Sequence, residues 1–366
     1  MIIDTAQPVN VVTAFGLQWP DAFRLRGSVI RLAFPGVLLM TGYGVGIAFL
    51  INKYSYLSIN LTVMSLISLV LSLLLVFRTN SAYDRFWEGR KLWQDIKVFS
   101  RNIIRTCWCC VMEKSIEDAV QKRQALKNVA AFVISVKHYL RGEDGIDYAD
   151  YDGLLSPEFR LAYSTRGAAY NYGSISGIGG SSPLRGADSS TILQAQQAKE
   201  GWERADDIPL PMQLLYELQK YSELIQDNHL IHLPYYTILI TYITTLGTLL
   251  GGCERIISTP IPLAYRIHLQ HALYLYLLVL PWALGSMGLA KTIIIQFVIS
   301  FMMIGIDAIS REIQNPFGYD SNDLPLDAYC DTILVELNYA LNHRSPKSLE
   351  TVENTLSEHS AGTDAK

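Results

Sequence analysis

The stretch YSYLSINLTVMSLISLVLSLLLVF, residues 54–77, contains no Asp, Glu, Lys or Arg. A helix needs about 20 apolar residues to cross a ~30 Å hydrocarbon layer, and this run is long enough. It has company. Residues 32–52 (LAFPGVLLMTGYGVGIAFLIN), 230–253 and 267–290 are equally free of those four residue types. Composition agrees: half of the 366 residues are hydrophobic and 17% are charged, against about 25% in an ordinary soluble domain. The reading is an all-α integral membrane protein that crosses several times. A fifth run, 292–306 (TIIIQFVISFMMIGI), spans only ~22 Å at ~1.5 Å per residue. It is expected to continue the fourth helix past a bend near Pro281 and the Gly285/Gly288 pair, giving four transmembrane helices.

Basic residues orient the chain. Arg24, Arg26 and Arg31 precede the first run, and Arg78, Arg85, Arg90, Lys91 and Lys97 follow the second. Both termini and the long middle section are therefore expected on the cytosolic side. The N-terminal MIIDTAQPVN has no short apolar core of a cleavable leader. The expected organisation is a cytosolic N-terminal segment (1–31), a first membrane pair (32–77), a cytosolic helical region (78–229), a second membrane pair (230–306) and a cytosolic C-terminal segment (307–366). Within the middle region, Tyr83, Phe86, Trp87, Arg90 and Trp93 recur at helical spacing. Residues 167–192, rich in Gly and Ser, read as a disordered insertion, as does the tail beyond about 344.

Several chemistries are excluded or weak. A formal charge of -4 gives no footprint for nucleic acid. The five cysteines suggest no disulfide framework. His229 with His232 and His268 with His271 have a three-residue spacing that suits a metal on a helix, but no HExxH accompanies them. GIGGSSPLRG lacks the lysine of a phosphate loop. No internal repeat or acid within the apolar runs supports a secondary anion transporter, although a transporter or a non-conducting membrane scaffold stays open at this stage. On the second run, Ser65, Ser68 and Ser72 share one face, with Leu66, Leu69, Leu73 and Phe77 beside it. Small hydroxyl residues let membrane helices pack closely; the same pattern serves a pore lined by several copies. The pattern does not choose between them.

LVLSLLLVFRTNSAYDRFWEGRKLW (69–93) resembles the second transmembrane helix and following cytosolic helix of the bestrophin family of anion channels. RGSVIR (26–31), ERIISTPIPLAYRIHLQH (254–271) and IQNPFGYDSNDLPLD (313–327) agree with it in order, in the style of the bacterial, fungal and plant branch. The resemblance implies a homopentamer in a lipid bilayer, passing chloride and other monovalent anions along one central axis. It implies an apolar neck at Leu69, Leu73 and Phe77, the last preceding Arg78, and a cytosolic aperture at Ile231, three residues before Pro234. It also implies a calcium clasp at Asp320 and Asp323, completed by carbonyls near Glu312, Asn315 and Val11; no other cofactor is implied. The neck departs from the animal pattern, which has aromatic residues at two of its positions.

Overall fold

The computed structural model describes residues 27–54, 59–161, 163 and 208–343. Val11, the Gly/Ser stretch and the tail lie outside them. The described elements are helices α1 (Ile30–Lys53), α2 (Leu61–Cys110), α3 (Ile116–Arg141), α4 (Leu210–Asp227), α5 (Leu233–Ser258), α6 (Leu263–Leu284), α7 (Leu289–Glu312) and α8 (Leu326–Asn342), with short 3-10 turns at Ala149–Tyr151 and Gly285–Met287. No strand occurs among the described residues. Two compact units result, one from residues 1–91 and 253–324 and the other from 92–252 and 325–366.

In the first unit α1, α6 and α7 pack together with the start of α2. Gly36 on α1 faces Ile304 and Gly44 faces Gln296, so α1 and α7 run antiparallel. A methyl group at Gly44 would come within 2.8 Å of Gln296 Cγ. Glycine is what allows the backbones this approach. The core joins Val37, Leu71, Leu75, Leu273, Leu277 and Ile304.

The end of α6 corrects one expectation. The chain does not bend there and continue; it reverses through the 3-10 turn at Gly285–Met287 and Gly288, whose φ of +95° favours glycine. Thr292 Oγ1 then donates to the carbonyls of Leu284 (2.8 Å) and Gly288 (3.0 Å), and Gln296 Nε2 to that of Leu277 (3.1 Å). These bonds fix α7 antiparallel to α6. The uncharged run looked short because Lys291 and Asp307 bound it. Lys291 is exposed in the first turn of α7 and Asp307 is ion-paired, so the helix extends over 24 residues. Among the described residues five helices are long and apolar enough to cross a membrane, against four counted from uncharged runs.

The second unit is organised on α3, which is buried from Leu126 to Leu140 over most of its circumference. Ser115 and Asp118 form a reciprocal capping box at its start, and Gly142, φ 70°, closes its end. Lys122, with no exposed surface, is held by Glu113 at 3.0 Å and the Val111 carbonyl at 2.9 Å, and lies over the Trp108 ring. Burial pushes its ammonium pKa down, and Glu113 works against that. Near the far end of α3, Lys137 bridges Asp150 (2.5 Å) and Asp327 (2.9 Å), while Arg141 holds Asp327 at 3.0 Å. His138 stacks on Tyr148 and touches the carboxylates of Glu143 and Asp150. The network ties the loop after α3 to the start of α8.

Candidate functional site

The two sides of α2 above Arg78 differ in what they meet. Met64, Leu71, Leu75, Arg78 and Ala82 are buried, a spacing of three, four and seven that keeps one face on the unit's own core. Leu66, Leu69, Leu73 and Phe77 repeat at the same steps, and at ~100° per residue they fall on the opposite side. Their exposures are 66%, 71%, 55% and 56%. All three neck residues are therefore brought into one line by the helix, with Leu66 extending it by a turn. Asn80 and Trp87, both exposed, continue it below. Of the serines, Ser68 is half-buried and donates to the Ser65 carbonyl at 2.8 Å, while Ser65 and Ser72 are exposed beside the apolar line.

The line is anchored from behind. Arg78, one residue past Phe77, is 1% exposed and pairs with Asp307 of α7. Asp307 also meets Arg311 Nε at 3.2 Å. Two turns on, the Arg85 guanidinium donates to the carbonyls of Thr259 (2.5 Å), Ile256 and Gln314 (3.2 Å). It satisfies carbonyls at the end of α5 and just past α7 that have no helical partner. Gly89 touches Pro316 and Phe317, where a methyl group would sit 3.0 Å from each. Sequence reading missed Asp307 because it served as the boundary of an apolar run. An acid directly after such a run, with an arginine directly after another, was the available signal.

The other expectations fare differently. Ile231 is 6% exposed, whereas His232, Leu233 (63%), Pro234 and Tyr235 (44%), around the start of α5, are exposed. The spacing to Pro234 marked the segment and not the outward side chain, since the chain there is a turn with no helical period. His229 sits in that turn with φ 52°, so it shares no helix face with His232. Of the aromatic residues on the continuation of α2, Trp93 is fully buried, whereas Tyr83 and Trp87 are about half exposed, at 55% and 50%.

At the expected clasp, Asp323 Oδ2 accepts the Asp320 N–H at 2.8 Å, and the Asp323 N–H returns to the Asp320 carbonyl at 3.0 Å. Asn322 Nδ2 donates to Glu312 Oε1 (2.8 Å) and to the Gly27 carbonyl (2.9 Å). The amide thus bridges the Glu312 carboxylate and the Gly27 carbonyl. Calcium asks for six to eight oxygen ligands; of the two aspartates, Asp323 Oδ2 and the Asp320 carbonyl each accept a protein N–H. Among the described residues no group of three or more His, Cys, Asp or Glu gathers for a metal. The turn between Asp320 and Asp323 is closed by these two hydrogen bonds, and Val11 lies outside the described residues.

Comparison with known proteins supplies the family. A model described as Bacterial/Fungal Bestrophin protein matches residues 17–339. A protein of Nostoc sp. named voltage-dependent anion channel-forming is 34% identical over 85% of this chain and 88% of its own length. One of the same description from Synechocystis sp. is 32% identical over 87% and 90%. The crystal structure of a bacterial Bestrophin homolog from Klebsiella pneumoniae superposes with a TM-score of 0.65 at 24% identity, covering 85% of this chain and 99% of that one.

Proposed function

Since the chain belongs to the bacterial and fungal bestrophin family and is an integral, multi-pass membrane protein, we propose that it is an anion channel whose α2 helices, from five copies, enclose the pathway. The observation that carries this is the exposed line of Leu69, Leu73 and Phe77 on the side of α2 turned away from its own core. A line of large apolar side chains opposite the packed face calls for further protein or lipid; several copies placed around an axis give it rings one helical turn apart.

An apolar ring does not bind a bare ion, because stripping a halide of water in a medium of low dielectric costs tens of kcal/mol. The neck therefore gates by widening and wetting. Large, weakly hydrated anions lose least on passing, so iodide and nitrate are expected to permeate at least as readily as chloride. Phe77 presents the positive edge of its ring to an anion, and it is the one aromatic of the three. Behind it, Arg78–Asp307 and the Arg85 fork keep the line from rotating, so the gate moves by shifts of α2 rather than by repacking of its inner face. The second constriction is drawn at Leu233, the most exposed large apolar side chain of its segment at 63%, in place of Ile231. No calcium-dependent step is included, so chelation is expected to leave the current unchanged.

The test is single-channel recording from purified protein in planar bilayers with ion substitution. Unitary currents reversing near the anion equilibrium potential are expected. Reversal at the cation potential, or coupled flux without unitary events, overturns the reading. Mass measurement in detergent tests the five-fold assembly separately.

A further inference from the structure

Arg78 points away from the neck line and into its own unit, where 1% of it reaches solvent. Nη1 donates to Asp307 Oδ1, and the other oxygen of that carboxylate faces Arg311 Nε at 3.2 Å. One carboxylate thus serves two guanidinium groups and leaves a surplus positive charge. Arg266, near the start of α6, stands within electrostatic range of Arg78 and adds to the surplus. Three side-chain atoms of this group make no hydrogen bond: Arg78 Nη2, Ser310 Oγ and, at ion-pair distance only, Arg311 Nε. Ser310 has no exposed surface and follows Asp307 by three residues on the buried face of α7.

A buried donor left empty is costly, and the surplus charge of Arg311, which is 35% exposed, stands beside it. A water molecule would satisfy the donors but leave the charge. A small anion meets both demands. We propose that Arg78 Nη2, with Ser310 Oγ as second donor, holds a monovalent anion of the halide or nitrate class inside each subunit, off the line that forms the neck. The anion neutralises the Arg78–Asp307–Arg311 group and fixes the residue that directly follows Phe77. Ambient anion concentration then bears on how firmly α2 is held to α7. The site does not depend on the conduction reading, because every group in it belongs to one unit of one chain.

Crystals of the full-length protein grown in bromide test it directly. An anomalous difference peak beside Arg78 Nη2 is expected in each subunit, and in the Leu73→Ala/Phe77→Ala variant as well. A solution arm uses thermal unfolding in detergent, with bromide exchanged for gluconate at constant ionic strength. The wild-type midpoint is expected to rise with bromide until it saturates. Arg311→Gln, which removes the surplus charge and keeps the Arg78–Asp307 pair, is expected to abolish that dependence. Density without an anomalous signal at saturating bromide identifies a water and overturns the proposal. So does an Arg311→Gln variant whose midpoint follows bromide as the wild type does.

Discussion

Between Thr62 and Arg78, α2 carries two apolar faces made from the same residue types. Leu71 and Leu75 are 3% and 2% exposed, while Leu69 and Leu73 are 71% and 55% exposed. Leucine composition says nothing about which is which. The inner face ends on a buried ion pair and the outer on an exposed phenylalanine, followed by an exposed asparagine. The lesson is that in a membrane protein hydrophobicity marks a helix, whereas its polar punctuation marks the direction it faces. Lipid, a neighbouring subunit and a dry pore all accept leucine; only protein partners hold a buried arginine.

The largest effect that would break this contrast is expected at the inner face's end. Asp307→Ala leaves Arg78 buried and unpaired, a loss of about 3–5 kcal/mol, seen as a lost folded peak in detergent chromatography; an unaffected peak would mean that the pair is not what anchors α2. Next come the leucines. Leu71→Ala is expected to cost about 2–5 kcal/mol, whereas Leu69→Ala stays within about 0.5 kcal/mol in the isolated subunit and acts on conduction instead. Equal unfolding shifts for the two would erase the distinction between the faces. The double variant Leu73→Ala/Phe77→Ala sharpens the functional side, with a larger and less gated current expected in bilayers. At the second constriction, Ile231→Ala is expected to destabilise by about 2–5 kcal/mol with the current per folded channel unchanged, and Leu233→Ala to do the reverse.

The smallest expected effect lies in the second unit. Burial pushes the Asp327 carboxyl up, but hydrogen bonds from Arg141 and Lys137 outweigh it and hold it down at about 2. Asp150 is likewise lowered, with Lys137 and His138 overcoming its burial. For carboxyls depressed in the folded state, the stabilisation is full above their unfolded value of about 3.9 and drains away as pH falls toward 2. Acid unfolding followed by circular dichroism is expected to show this slope, and Asp327→Asn to flatten it. Asp327 is 61% exposed, so the change is modest.

How much was legible follows from the kind of signal each residue gives. The exposed line of Leu69, Leu73 and Phe77 was legible because three residues at four-residue steps share a helix face whatever surrounds them. The Gly44–Gln296 approach and the α6–α7 reversal were not. A run of apolar residues reads alike whether it continues or turns back, and only Gly288 hinted at the turn. That Ile231 is buried in the subunit was not legible, because counting from a proline gives position along the chain but no direction outside a helix. The hydrogen bond by which Asp323 accepts the Asp320 N–H was not legible either, because a sequence does not show which donor a carboxylate meets.

The sequence by itself determined that this is a helical, membrane-crossing chain, which family it resembles, and which residues line one side of its second apolar run, because those depend on composition and on the local 3.6-residue period. Only the tertiary structure decided that α7 folds back on α6, that Asp307 answers Arg78, and that Ile231 points inward. Each of those rests on partners far apart along the chain, joined by contacts that no local period encodes.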